Sequence, residues 1–484
     1  MVGPFDLPAK YVAAGALFPS GRVLLWGESR HHWLRIFRLL PFFPLINQSV
    51  KWAVFDAAKG PTDADLETPA ELQARVVNRG EYEGEPSDPR SNVWCAGNAF
   101  LPDGTLLVVG GDAWERSAPD RIDPRLTLAR TVTIRGHAVR FARAADMNQP
   151  RWYPGLVQLP DGRMLASFGI ARNLEAYDPV ARAWSLGPST TSIDPMGLVD
   201  DYPWTFVMPD GTVLMAGAWG HEAYRYDPAG GSVSRTSDRV GEEHPHGGGA
   251  VLLAPAQEGK ILVLGGGTHE GGMTNKVERY DFSAGQWSAM PPMRDARHHF
   301  GVAVLPTGTV FVAGGGGGRF HPGEGVGERT ELFDPDRQAW TPGPPLTAPR
   351  GYHEVTLLLP DASLLVAGEW PTAEVYYPAY FFRGPRPVLR CAPEGIGYAA
   401  PFSVDVVEQP GDPVDRVVAV RQGAMTHSYN FDQRIVALAF SRGGPGELTV
   451  TGPASPNHAP PGYYLLFAIS RAGLPSRGSW VRIA

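Results

Sequence analysis

The chain has 484 residues, 43% of them hydrophobic and 19% charged, enough for a large buried core and more than one domain. Its net charge of −7 offers no basic patch and argues against a nucleic-acid partner. Two cysteines, Cys95 and Cys391, exclude a disulfide framework, since at most one bridge could form.

The opening residues, Met-Val-Gly-Pro-Phe-Asp, lack the basic and then apolar pattern of a secretory signal, and localisation stays open. An apolar stretch from Trp33 to Ile46 carries Arg35, Arg38 and two prolines. It is too short to span a bilayer and reads as a partly buried loop in the first repeat. No transmembrane segment is expected.

From residue 8 onward one phrase recurs: an apolar run, Leu-Pro-Asp-Gly, a second apolar run, then Gly-Gly. It stands at Leu101 to Gly111, Leu159 to Gly169, Met208 to Gly217 and Leu305 to Gly315, with looser copies at Phe18 to Gly27, Leu253 to Gly266 and Leu359 to Gly368. The last copy has Ala362 where glycine is expected. The many glycines and prolines fall in step with these strands, so they mark turns and not disorder. In the third unit, Gly155–Leu159, Arg163–Phe168, Glu175–Tyr177 and Ala183–Ser185 read as four strands, the first two joined by an Asp-Gly hairpin. No amphipathic helix is predicted. Seven units at roughly kelch spacing predict an all-β chain, with a seven-bladed kelch-type β-propeller over 8–383. After Gly384-Pro385-Arg386-Pro387 the repeat stops. Strands at Ser403–Val407, Val417–Arg421, Val436–Phe440, Glu447–Thr451 and Tyr463–Ile469 then predict an immunoglobulin-like β-sandwich over 384–484.

The repeat also carries chemistry. Seven residues before each turn proline stand Val12, Cys95, Tyr153, Tyr202, Gly248, His299 and His353. Five of these side chains can ligate a metal or react. Equivalent positions on the innermost strands of a propeller lie on one ring, so the register points them at one spot. Tyr352, one residue before His353, falls at the strand mouth or on its other face. Singly, a strand cysteine is ordinarily inert core and a tyrosine a packed ring. Shared register weakens both readings together, and imidazole with phenol oxygens suits Cu(II).

Four segments give this chain a family likeness: Trp94-Cys95-Ala96-Gly97, Arg151-Trp152-Tyr153, Pro349-Arg350-Gly351-Tyr352-His353 and Met425-Thr426-His427-Ser428-Tyr429-Asn430-Phe431-Asp432-Gln433-Arg434. With the ending Ala459 to Phe467, they resemble the copper radical oxidases, the galactose oxidase and glyoxal oxidase group, and more closely its glyoxal oxidase-like members. The resemblance implies one copper ion held by Tyr153, His353, His427 and an axial Tyr352. It implies a Cys95–Tyr153 thioether whose tyrosyl radical is the redox cofactor, and a C-terminal domain that threads His427 into the propeller channel. It further implies that Tyr352 takes the substrate's hydroxyl proton, that the Tyr153 radical abstracts hydrogen from carbon, and that dioxygen leaves as hydrogen peroxide.

The expected activity is oxidation of small primary alcohols or aldehydes by a monomer, with Tyr202 and His299 lining the pocket. Trp94, Trp152, Trp204 and Trp219 are candidates for a ring stacked on the cross-link. Substrate choice is expected to lie in loops such as 112–140 and 316–329. A rival expectation is a non-catalytic propeller that binds protein or glycan; another is a copper oxidase in which Cys95 stays a thiol.

Overall fold

A computed structural model of the chain describes all residues except 8–11, 29–49, 59–65, 83–92, 94, 112–126, 137, 193–201, 218–219, 242–246, 269–271, 317–325, 369 and 432. The apolar stretch at 33–46, Trp94, Trp219 and most of the two expected specificity loops therefore lie outside the described residues.

The Leu-Pro-Asp-Gly phrase closes a hairpin in one way in six of its seven copies, the copy at Leu253 carrying a 3-10 turn, Ala256–Glu258, instead. The glycine N–H donates back to the first carbonyl of the turn, as Gly104 does to Leu101 at 2.9 Å and Gly162 to Leu159 at 2.9 Å. The aspartate Oδ1 accepts the N–H two residues on, at 2.9 Å from Thr105 and 3.0 Å from Arg163. Glycine is needed because its φ is positive, +81° at Gly104 and +88° at Gly162. Ala362 makes the same turn at φ 73°, donating to Leu359 at 2.9 Å, so alanine is here forced into the left-handed region. Asp361, capped by the N–H and hydroxyl of Ser363, holds it there.

Each hairpin extends into a four-stranded antiparallel sheet, and seven such sheets occur among the described residues. The innermost strands are Ala14–Leu17, Ala96–Phe100, Gly155–Gln158, Trp204–Val207, Gly249–Leu252, Gly301–Val304 and Val355–Leu358, numbered here as blades 1 to 7. The outer strand of blade 7 is Val2–Asp6, which pairs with Trp370–Tyr376 and so ties the start of the chain to the last blade. Among the described residues one short α-helix departs from the all-strand expectation: Pro69–Ala74. Its cause is local. Thr68 and Glu71 form a reciprocal capping box, Pro69 occupies the first turn, and Leu72 is buried.

Behind the propeller, two sheets of four and five strands form the sandwich. Apolar residues alternate inward, as along Pro401–Val407 and Glu447–Thr451. No helix among the described residues is long and apolar enough to cross a membrane.

The two domains meet in the channel. A hairpin of Ala424–Thr426 and Tyr429–Asn430 joins the sheet of blade 1 to that of blade 5, with Gly15 opposite Met425 and Ala250 opposite Tyr429. Other inner strands receive side chains instead. Tyr429 Oη accepts the Thr205 N–H at 2.7 Å and donates to the Thr205 carbonyl at 2.8 Å. Gln433 does the same for Val304, accepting its N–H at 2.8 Å and donating to its carbonyl at 3.0 Å. Met425 Sδ accepts the Thr356 N–H at 3.2 Å, and Arg421 donates to the Phe100 carbonyl at 3.1 Å and to Gln158. Segment 421–434 thus reaches all seven blades. Gln433→Leu would strip both backbone groups of buried Val304 of their partners. It is expected to cost about 1–3 kcal/mol of unfolding free energy, read as a lower denaturant midpoint with unchanged far-UV circular dichroism.

Candidate active site

Four of the register residues share a backbone state as well as a position, while Val12 and His353 do not have it. Cys95, Tyr153, Tyr202 and His299 have φ of 58°, 57°, 53° and 51°, in the left-handed region that costs a side-chain-bearing residue about 1–2 kcal/mol. Hydrogen bonds from blade to blade hold them: Tyr153 N–H to Cys95 O at 3.1 Å, Tyr202 N–H to Tyr153 O at 2.6 Å, and His299 N–H to Gly247 O at 2.6 Å. The blade 5 member is accordingly Gly247, φ 68°, and not the expected Gly248. Ala254 adds one residue between that strand and its turn proline and shifts the count. A side chain has no place at 247, because its Cβ would meet the His299 ring at 2.9 Å.

Below this ring, buried arginines anchor the incoming loops. Arg151 donates to the Phe168 carbonyl at 2.7 Å and pairs with Glu175 at 3.0 Å. Arg297 pairs with Glu331 at 2.6 Å and Arg350 with Glu374 at 3.1 Å, all three guanidinium groups being inaccessible to solvent. Arg151 and Arg297 stand two residues before Tyr153 and His299. Arg350 stands three before His353, and this extra residue lets blade 7 present both Tyr352 and His353.

The fourth element is the channel hairpin. Thr426 pairs with Tyr429, so His427 and Ser428 form a two-residue turn, with φ of 48° and 68° as a type I′ turn requires. His427 is its tip. All five residues of the expected set then come together. The Cys95 thiol donates to Tyr153 Oη at 3.0 Å, and Tyr153 Oη lies 2.9 Å from Tyr352 Oη. The His353 and His427 ring centroids are 4.1 Å apart, Tyr352 is 4.1 Å from His353 and 5.0 Å from His427, and Tyr153 is 5.1 Å from His427. Tyr352 alone is half-buried; the others are buried.

The two pocket candidates lie against this set. Tyr202 packs on Tyr153 at 4.7 Å and His427 at 5.0 Å, with its hydroxyl donated to the Ala96 carbonyl at 3.1 Å. His299 packs on Tyr352 at 4.8 Å. Among the described tryptophans, Trp152 is the one whose ring lies on Tyr153, at 4.7 Å and 32°. Trp204 packs instead against Gly217 and under the Arg239 guanidinium. Burial pushes the Tyr153 phenol well above its ordinary range, and the neighbouring Cys95, Tyr352 and Tyr202 add to the shift.

No group of three His, Cys, Asp or Glu side chains is arranged to hold a metal among the described residues. The donor set is two imidazoles and two phenols, a mixed nitrogen and oxygen set that fits Cu(II) better than zinc or calcium.

Comparison with known proteins bears on what this arrangement is. Residues 386–483 match a family model described as Galactose oxidase-like, Early set domain, and residues 253–294 match a Kelch motif. The chain is 27% identical over 474 residues to aldehyde oxidase GLOX of Vitis pseudoreticulata, covering 87% of this chain and 88% of that one. It is 24% identical to galactose oxidase of Gibberella zeae over 99% of this chain and 70% of the other. The chain is a homologue of these oxidases. A fungal alcohol oxidase of the AA5 family, solved in complex with copper, shares the fold with a TM-score of 0.79 over 100% of this chain and 98% of that one, at 22% identity.

Tyr153 is one of several buried phenols. Burial also raises Tyr376 to about 12, and raises Tyr377, Tyr380 and Tyr398, with Glu67 adding to the shift at Tyr377. A phenol whose pKa is raised by folding favours the folded state below its unfolded value of about 10. That contribution is lost as pH rises toward the folded value. Unfolding free energy of the metal-free protein is therefore expected to fall above about pH 10. Phenolate absorbance from these five tyrosines should appear only with loss of the near-UV dichroism.

Proposed function

We propose that the protein is a copper radical oxidase that converts small primary alcohols or aldehydes to aldehydes or carboxylic acids while dioxygen becomes hydrogen peroxide. The observation that carries this reading is the convergence of Cys95, Tyr153, Tyr352, His353 and His427 from four separate elements, one of them supplied by the other domain. Five chemistry-bearing side chains at mutual contact, three of them in strained backbone, are not what filling a channel requires.

Tyr153, Tyr352, His353 and His427 would hold the copper. When bound, it would polarise the substrate oxygen and take one of the two electrons. The rest falls to the chain. Tyr352 Oη, the one half-exposed donor, is the base that receives the hydroxyl proton. Tyr153, once oxidised by one electron to a phenoxyl with dioxygen as the oxidant, takes the hydrogen atom from carbon at Oη and returns to the phenol. Cys95 Sγ lies 3.0 Å from Tyr153 Oη. With dioxygen as the oxidant, its S–H bond and a ring C–H bond beside that oxygen would give way to one C–S bond, the two hydrogens leaving as hydrogen peroxide. The sulfur would feed electron density into the phenol and ease its oxidation. Trp152 over one side of the Tyr153 ring and Tyr202 against it keep water from the oxidised phenol, and His299 walls the pocket beside Tyr352.

Peptide mass mapping after aerobic copper loading tests the reading directly. The Cys95 and Tyr153 peptides should travel together two hydrogens light, and a peroxide-coupled panel of small alcohols and aldehydes should show turnover. Separate peptides with copper bound would leave a copper protein without the radical. No copper binding at all would leave an interaction module.

Two substitutions divide the roles. Tyr153→Phe is expected to abolish turnover. Tyr352→Phe should lower kcat by about 10²–10⁴-fold while copper affinity falls far less, as removal of a proton acceptor implies.

A further inference from the structure

His427 is the one expected ligand that comes from outside the propeller, and the residue before it makes an unusual pair of contacts. Thr426 is buried, and its Oγ1 lies 2.7 Å from the carbonyl oxygen of Ala13 in blade 1 and 2.7 Å from Nδ1 of His427. A hydroxyl has one proton to give and two lone pairs that accept. The Ala13 carbonyl can only accept, so the Thr426 proton goes there. The His427 contact must then run the other way, with Nδ1–H donating to Thr426 Oγ1. In a neutral imidazole that leaves the lone pair on Nε2.

The contact is set by strand register. Gly15 stands opposite Met425 and Ala16 opposite Ala424 across the interdomain ladder, which carries Thr426 to the Ala13 end of the same strand. The Ala13 N–H donates to the Trp26 carbonyl at 2.9 Å, so the accepting carbonyl is itself fixed. Blade 1, which contributes no donor of its own, therefore acts on the centre through its backbone.

We propose that Thr426 is a positioning residue that locks His427 as its Nδ1–H tautomer, relaying the fixed Ala13 carbonyl of blade 1 to the ligand edge of the ring. The copper part of this rests on the function proposed above; the tautomer does not. Outer hydrogen-bond partners of this kind typically govern metal affinity by 10–100-fold.

The experiment uses the full metal-free chain with ¹⁵N-labelled histidine, the His427 ring being assigned by its loss in His427→Gln. The ring should carry its proton on Nδ1. In Thr426→Val, which keeps shape and removes the hydroxyl, that preference should disappear and Cu(II) affinity in chelator competition should fall about 10–100-fold. Thr426→Ser should restore the tautomer and bring affinity back to within about threefold. A wild-type ring protonated on Nε2, or a folded Thr426→Val with unchanged tautomer and affinity, overturns the proposal. If Thr426→Val does not fold, the wild-type tautomer and the serine variant decide it. If the tautomer behaves as expected and wild type binds no copper, the lock stands and the copper reading falls.

Discussion

A ring of blades leaves the inner edges of its innermost strands facing a channel, and every unpaired N–H and C=O along those edges is expensive once water is excluded. In this chain segment 421–434 fills the channel and closes those edges. Two strands can ladder with only two blades, here 1 and 5. The remaining edges need groups that imitate a strand, and Gln433 and Tyr429 do so because an amide and a phenol each donate and accept at once. Gln433 serves Val304 in blade 6 and Tyr429 serves Thr205 in blade 4. The hairpin that satisfies the channel also carries His427 at its tip, so the integrity of the scaffold and the geometry of the site depend on one segment.

The same economy operates in the loops that enter the blades. Left-handed residues at 95, 153, 202 and 299 would relax if their flanks were loose. Buried Arg–Glu pairs hold the flanks at 153 and 299, and a third pair does the same before Tyr352 and His353. A buried pair is costly to desolvate, and its retention is explained by the number of donors a guanidinium can aim at loop carbonyls while still meeting its carboxylate. Arg350 alone reaches the carbonyls of Gly368 and Thr372 as well as Glu374. Rigid flanks keep the Tyr153 and Tyr352 oxygens at contact.

Much of this is legible in sequence because the repeat couples turn chemistry to strand period. Leu-Pro-Asp-Gly specifies a turn, the turn specifies hairpin register, and register collects Cys95, Tyr153, Tyr202, His299 and His353 on one rim. Legibility ends where pairing is long-range or where one residue is inserted. Val2–Asp6 carries no repeat signal, yet it completes blade 7. Ala254 moves the blade 5 position to Gly247. The helix at Pro69–Ala74 has its capping box in plain view at Thr68 and Glu71, but six residues give no periodicity to detect. His427 follows from family resemblance alone, since its place depends on a ladder to residues more than four hundred positions earlier. Trp152 over Tyr153 and Thr426 between Ala13 and His427 are contacts of the folded state that no spacing rule announces.

The order of the chain has a consequence for its manufacture. Val2–Asp6 is made some 365 residues before the strand it pairs with and must wait, unpaired, for Trp370–Tyr376; the channel stays open until the segment around 421–434 arrives later still. A nascent chain therefore carries Cys95, Tyr153, Tyr352 and His353 well before it carries His427. Assembly of the centre is in effect a proofreading step, because the donor set becomes whole only when the propeller and the hairpin of the second domain have found the same ring.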